Sequence, residues 1–130
     1  MTGVAATGVS ELTLEVADLA AAEHFYAEVL GLPVVERWSD AVWVMAGERT
    51  RIGLWLPREG IAGGRGGAHV HYALHVPEQA FDLAVDRLRE HGFDPEQRAF
   101  GTSHGRSAYV DDPDGNVVEL WTWDVREHLG

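Results

Sequence analysis

Polar and apolar residues alternate along Ser10-Glu11-Leu12-Thr13-Leu14-Glu15-Val16, and again along His69-Val70-His71-Tyr72-Ala73-Leu74-His75-Val76. A period of two predicts strands with one face on a core and one face free. The two segments lie sixty positions apart, Glu11 matching His71, Leu14 matching Leu74 and Val16 matching Val76. Each then passes into a helical period. Asp18 is a good N-cap for a helix with Leu19, Ala22, Phe25, Tyr26, Val29 and Leu30 on its apolar stripe, stopped by Gly31 before Pro33. Pro77 precedes a second helix with Phe81, Ala84, Val85 and Leu88 on one face, ending near Gly92. Strand-like segments follow each: Val34–Trp38, Ala41–Ala46 and Arg51–Leu56, then Phe93–Ala99, Arg106–Val110 and Val117–Trp123.

The chain therefore reads as an α+β fold of two βαβββ modules, about 8–57 and 69–124, in a single domain of residues 1–130. A glycine-rich stretch, 58–68, separates them. It leads into a strand and not into a helix N-terminus, so it reads as a flexible linker and not as a phosphate-binding loop.

Period two also sorts the candidate chemistry. Glu11, Thr13 and Glu15 share one face of the first strand; His69, His71 and His75 share the matching face of its repeat. In the last strand Val117, Glu119, Trp121 and Trp123 lie together, against Val118, Leu120 and Thr122. If equivalent faces curl together, Glu11, His71 and Glu119 converge. Asp112-Pro113-Asp114-Gly115 is turn chemistry that aims the last strand.

The composition narrows the partners. An apolar fraction of 45% against 24% charge is ordinary for a globular chain. The formal charge of -11 excludes nucleic acid as an expected partner and favours neutral or cationic ligands. There is no cysteine, and all ten basic residues are arginine, which excludes disulfides, thiolate zinc sites, cysteine nucleophiles and lysine chemistry. No apolar run reaches the roughly 18 residues of a membrane span, and the N-terminus lacks a secretory pattern. A cytoplasmic protein with no membrane partner is the expectation. Five tryptophans are many for 130 residues. Because Leu12, Leu14, Val42, Val44, Leu54, Val118 and Leu120 already form an aliphatic face, the indoles fall on the opposite one. A cavity walled by indoles suits a planar aromatic ligand.

The opening Val9–Leu14 through Asp18-Leu19, Phe25-Tyr26 and Leu30-Gly31-Leu32, the strand His71–Val76, and the segment Asp112–Leu120 together resemble the vicinal oxygen chelate superfamily. That superfamily holds glyoxalases, extradiol dioxygenases, thiol transferases and bleomycin-resistance binding proteins. The resemblance runs from about Gly8 to Asp124 and implies a U-shaped mixed sheet around a cleft. It implies metal ligands at Glu11, His71 and Glu119, where Glu11 departs from the family's usual His or Gln. The implied cofactor is either none or one divalent ion, among Mn, Mg, Fe, Zn and Ni. Within the superfamily, Trp38–Trp43, His71–Leu74, Ser107-Ala108-Tyr109 and Glu119–Thr122 resemble the fosfomycin-resistance thiol transferases. However, the lysine and late arginine that hold the phosphonate there fall near Ala99 and His128, with only Arg98 and Arg126 close by. Two functions stay open. One is a homodimer that sequesters an aromatic natural product, with Trp43, Trp55, Ser107, Tyr109, Trp121 and Trp123 lining the cleft and Trp38 at its edge. The other is a divalent-metal-dependent enzyme of the glyoxalase, thiol transferase or dioxygenase kind.

Overall fold

A computed structural model describes residues 8–57, 70–124 and 126. The predicted linker 58–68, His69 and His128 lie outside the described residues. The chain divides into two compact units, Met1–Gly67 and Ala68–Gly130.

The first unit runs β1 (Glu11–Glu15), α1 (Leu19–Glu23), a π-helical segment (His24–Val29), β2 (Val34–Arg37), β3 (Ala41–Ala46) and β4 (Thr50–Trp55). The second runs β5 (His71–His75), α2 (Glu78–Glu90), β6 (Glu96–Ala99), β7 (Arg106–Asp111) and β8 (Val117–Trp121). Each is a βαβββ module with a four-stranded mixed sheet, ordered β1-β4-β3-β2 and β5-β8-β7-β6. In both, the first strand pairs parallel with the last and the remaining pairs are antiparallel. Among the described residues no helix is long and apolar enough to cross a membrane.

The apolar alternation does the building. Leu14, Val42, Val44, Ile52 and Leu54 are buried on the first sheet, with Ala22, Phe25, Tyr26 and Val29 of the helix. Each large side chain so buried contributes about 1.5–3 kcal/mol. Asp18 caps as expected, its carboxylate accepting from Ala21 N at 3.1 Å. The helix then widens: Leu30 N donates to Phe25 O at 2.9 Å, a five-residue closure. In the second unit Phe81 and Val85 of α2 pack with Ala108 of β7. Arg106 fastens this contact from above, its guanidinium 4.4 Å from the Phe81 ring and bonded to both Glu78 and Asp82.

Candidate functional site

The strand registers put the two modules on one scale. In the first, Trp43 pairs with Gly53 and Ala41 with Trp55. In the second, Tyr109 pairs with Glu119 and Ser107 with Trp121. The parallel pairs agree, Thr13 facing Gly53 and Ala73 facing Glu119. Hence Glu11, Ala41, Trp43, Gly53 and Trp55 occupy the positions held in the second module by His71, Ser107, Tyr109, Glu119 and Trp121. The second module carries hydroxyl, phenol and carboxylate where the first carries methyl, indole and hydrogen.

In the second module the polar side chains are joined. Glu119 is buried, and its two carboxylate oxygens have separate partners: His71 Nε2 lies 2.8 Å from Oε1, and Ser107 Oγ donates to Oε2 at 2.5 Å. Ser107 is fully buried, so its hydroxyl fixes the carboxylate from the core side, while the His71 side chain remains more than half exposed. Tyr109 stands beside His71 with ring centres 6.0 Å apart, and Arg98 lies over the phenol at 5.5 Å. Burial pushes the Tyr109 phenol above its usual range; the Glu119 charge adds to this and the Ser107 hydroxyl opposes it. His71, Phe93, Asp94, Glu96, Arg98 and Tyr109 contribute to the lining of a pocket of about 600 Å³. The turn feeding β8 is the Asp112–Gly115 turn expected from the sequence, and Asp112 holds it. Asp112 is buried, accepting from Asp114 N and Asn116 N at 2.8 Å each and from Asn116 Nδ2 at 2.9 Å.

In the first module the same face is an aromatic cluster. Trp38, Trp43 and Trp55 meet edge to face in all three pairings, at 4.7, 5.2 and 5.7 Å between ring centres. Gly53 makes the cluster possible, since a Cβ there would stand 2.9 Å from Trp43 Nε1 and 3.0 Å from Trp55 Nε1. The exposures separate the three rings. Trp43 is 1% exposed and serves as backing, whereas Trp38 is 54% exposed and forms the outer wall.

Glu11 is committed to its own module. Its carboxylate accepts from Arg51, from Trp43 Nε1 at 3.2 Å and from Thr13 Oγ1 at 3.2 Å. Arg51 also reaches Glu36 at 3.3 Å and lies 4.8 Å over the Trp43 ring, while Trp38 Nε1 donates to Glu36 at 2.7 Å. Arg51 was not singled out in the sequence, although period two already places it with Gly53 and Trp55 on the face of Glu11. Of the implied metal ligands, His71 and Glu119 are brought together, and Glu11 is held by a guanidinium and an indole. Among the described residues no three His, Asp or Glu side chains gather as metal ligands.

The last candidates form a second aromatic patch. Trp121 and Trp123 stack at 5.0 Å, Trp123 stacks on His104 at 5.2 Å, and Phe100 meets Trp121 edge-on at 6.1 Å.

A paired βαβββ architecture with this register defines a recognisable class. The Glyoxalase/Bleomycin resistance protein/Dioxygenase superfamily model matches residues 8–120, and the chain belongs to that family. Glutathione transferase FosA of Serratia marcescens is 30% identical over 133 residues, covering 93% of this chain and 84% of the relative. Among solved structures, lactoylglutathione lyase from Agrobacterium tumefaciens superposes with a TM-score of 0.79 at 22% identity, over 91% of this chain and 95% of that one. TnmS3, an antibiotic binding protein from Streptomyces sp. CB03234, superposes with a TM-score of 0.68 at 25% identity, over 94% and 100%.

Proposed function

We propose that this protein is a cytoplasmic, homodimeric resistance protein that binds an aromatic antibiotic or metabolite, neutral or cationic, without turning it over. One observation carries the proposal. At the register positions where the second module holds Ser107, Tyr109 and Glu119, the first holds Ala41, Trp43 and Gly53, and the freed space is given to an indole cluster with Trp38 exposed. A face walled with three indoles contacts flat apolar molecules, and the Glu11 carboxylate on it is already taken by Arg51 and Trp43. Ring contacts contribute about 0.5–1.5 kcal/mol each beyond area burial. The net charge of -11 draws cations in and repels phosphonates. Trp38 and Trp55 supply the walls, Trp43 their backing, and Trp121 with Trp123 a second stacking surface. In the second module Ser107, fully buried, holds the Glu119 carboxylate, and Tyr109 lines that module's own pocket. The likeness to an antibiotic binding protein supports the same direction.

A second reading has its own support: a divalent-metal-dependent thiol transferase, resembling the Serratia relative. His71 Nε2 and Glu119 Oε1, side by side at 2.8 Å, are two ligands such an ion would use. A metal there would supply Lewis acidity, and Ser107 would hold Glu119 in place.

Protein purified without chelator or nickel affinity separates them. Titration with 9-aminoacridine, a flat cationic probe, is expected to quench tryptophan fluorescence with micromolar affinity, the probe being recovered unchanged. Trp38→Ala should weaken binding by about twofold to tenfold, the equivalent of one ring contact. Stoichiometric metal that is lost in His71→Ala, together with consumption of a thiol co-substrate, would replace sequestration by catalysis.

A further inference from the structure

The first module seats a guanidinium of its own on the open face of its sheet. Arg51 bonds to Glu11 and to Glu36, and its Cζ lies 4.8 Å from the centre of the Trp43 ring. Arg51 stands between Glu11 and Met45 in the register, and Trp43 between Glu36 and Gly53. In the second module Val117 stands between His71 and Asp111, and Tyr109 between Glu96 and Glu119. Ring and carboxylate are thus repeated, Tyr109 in the place of Trp43 and Glu96 in that of Glu36. The guanidinium is not repeated. Val117 has its place, and there the second module has a pocket of about 600 Å³ whose lining includes Val117, Tyr109 and Phe93. Its size is that of a small-molecule site. Three carboxylates, Asp94, Glu96 and Asp111, also line it, against one guanidinium, Arg98. Arg98 is spent on Glu96, which it bonds through Nε and Nη2 at 3.2 and 3.0 Å. His71 Nε2 is engaged with Glu119. Among the described residues Asp94 and Asp111 have no ion-pair partner.

We infer that this pocket binds a planar organic cation, a guanidinium or amidinium borne on a small apolar ring, in the place that Arg51 takes in the first module. The carboxylates of Asp94 and Asp111 balance its charge, the Tyr109 ring lies beside it, and Phe93 and Val117 meet the apolar part. A planar delocalised cation suits such a seat better than an ammonium. It is weakly hydrated, and it can lie against a ring while its N–H groups reach carboxylates, as Arg51 does between Trp43, Glu11 and Glu36. The net charge of -11 draws cations towards it. The site is made of second-module residues alone, so it goes beyond the aromatic-binding reading and does not depend on the indole cluster.

Three probes test this by NMR titration of the isotope-labelled protein: benzamidine (a planar cation), benzylamine (a compact cation) and benzamide (uncharged, with the shape of benzamidine). The expected order of affinity is benzamidine, then benzylamine, then benzamide, each step about threefold to tenfold. Benzamidine should move the backbone amide resonances of Asp94, Glu96, Tyr109 and Asp111 and leave the indole N–H resonances of Trp38, Trp43 and Trp55 in place. Val117→Arg supplies the guanidinium from the chain itself, as the first module does, and should weaken benzamidine by about tenfold or more. Asp111→Asn should weaken benzamidine by about threefold to tenfold and leave benzamide within about twofold. Arg98→Ala frees Glu96 and removes a like charge, so it should tighten benzamidine by about twofold to fivefold. Should Val117→Arg not fold, the substitutions at the exposed Arg98 and Asp111 decide. Benzamide or benzylamine binding as well as benzamidine, shifts confined to the indoles, or an affinity indifferent to Asp111 and Arg98 would overturn the cation site and leave the indole cluster's reading standing. Failure of benzamidine to bind the wild-type protein would overturn it too.

Discussion

Replacing Gly53 with alanine adds one carbon at the point where the first module is most crowded. That Cβ would stand 2.9 Å from Trp43 Nε1, 3.0 Å from Trp55 Nε1 and 3.2 Å from Trp43 Cδ1. Both rings must retreat, yet Trp43 is 1% exposed and is bonded to Glu11, so its retreat disturbs buried contacts. Overpacking of this kind costs about 1–3 kcal/mol. Against it stands a gain of about 0.4–1 kcal/mol, because alanine restricts the unfolded chain. That gain is available here because Gly53 is not among the positive-φ glycines. The net loss is about 1–2 kcal/mol, or about 3–10 °C in Tm for a chain of this size. Differential scanning calorimetry reads the loss, and tryptophan emission reports displacement of the indoles. A double-mutant cycle with Trp55→Phe isolates the cause. Removing one of the two crowding nitrogens should return part of the loss, with a coupling of at least about 0.5 kcal/mol. A Gly53→Ala protein as stable as the wild type, or strictly additive effects in the cycle, would refute the claim that Gly53 makes room for the indoles.

Two other expectations concern the second module. Ser107→Ala removes the donor to a buried carboxylate and should cost about 1.5–3 kcal/mol by urea unfolding, with loss of the Tyr109 phenol's orientation visible as a shifted ultraviolet titration. Asp124 is held at a pKa of about 2 chiefly by its hydrogen bond from the Arg126 side chain, so its stabilising contribution is complete above the usual aspartate range near 4 and disappears as pH falls through about 2; carboxyl NMR should give that midpoint, and Arg126→Ala should raise it part of the way to the ordinary value, the backbone N–H of residue 126 still donating to the carboxylate.

The architecture was largely legible because two periods recur sixty residues apart. β3 has the bounds that alternation gave, and most other elements differ by a residue or two at their ends, where strands fray into turns. β6 departs furthest, starting at Glu96 where Phe93 was expected, and Pro95 ends the region that could donate to a ladder. The π-helical widening at His24–Val29 has no period of its own. Phe25, Tyr26 and Val29 serve an α-helix as well as the wider turn, and packing decides between them. Within the site, alternation correctly placed Glu119, Trp121, Trp43 and Trp55 on faces. It did not reveal which partner each would take. Glu11 is a metal ligand only as the resemblance implies one, and no local sequence signal announces the partner it takes. Arg51, forty residues on, arrives beside it only through the β1–β4 register. The same register sets Ala41, Trp43 and Gly53 against Ser107, Tyr109 and Glu119, a contrast that spacing alone does not display.

That parallel pairing has a kinetic side. Glu11 must meet Arg51 across forty residues, and His71 must meet Val117 across forty-six, before either sheet is sealed. Loop-closure entropy grows only logarithmically with length, so the two closures differ by roughly 0.1 kcal/mol. Neither half holds a topological head start, and folding order is left to local structure. There the halves differ: α2 is thirteen residues of one regular period with Arg87 and Arg89 in its last turn, whereas the first half's helix is five α-helical residues running into a π-turn. The duplicated chain thus folds two equal knots of topology from unequal ends.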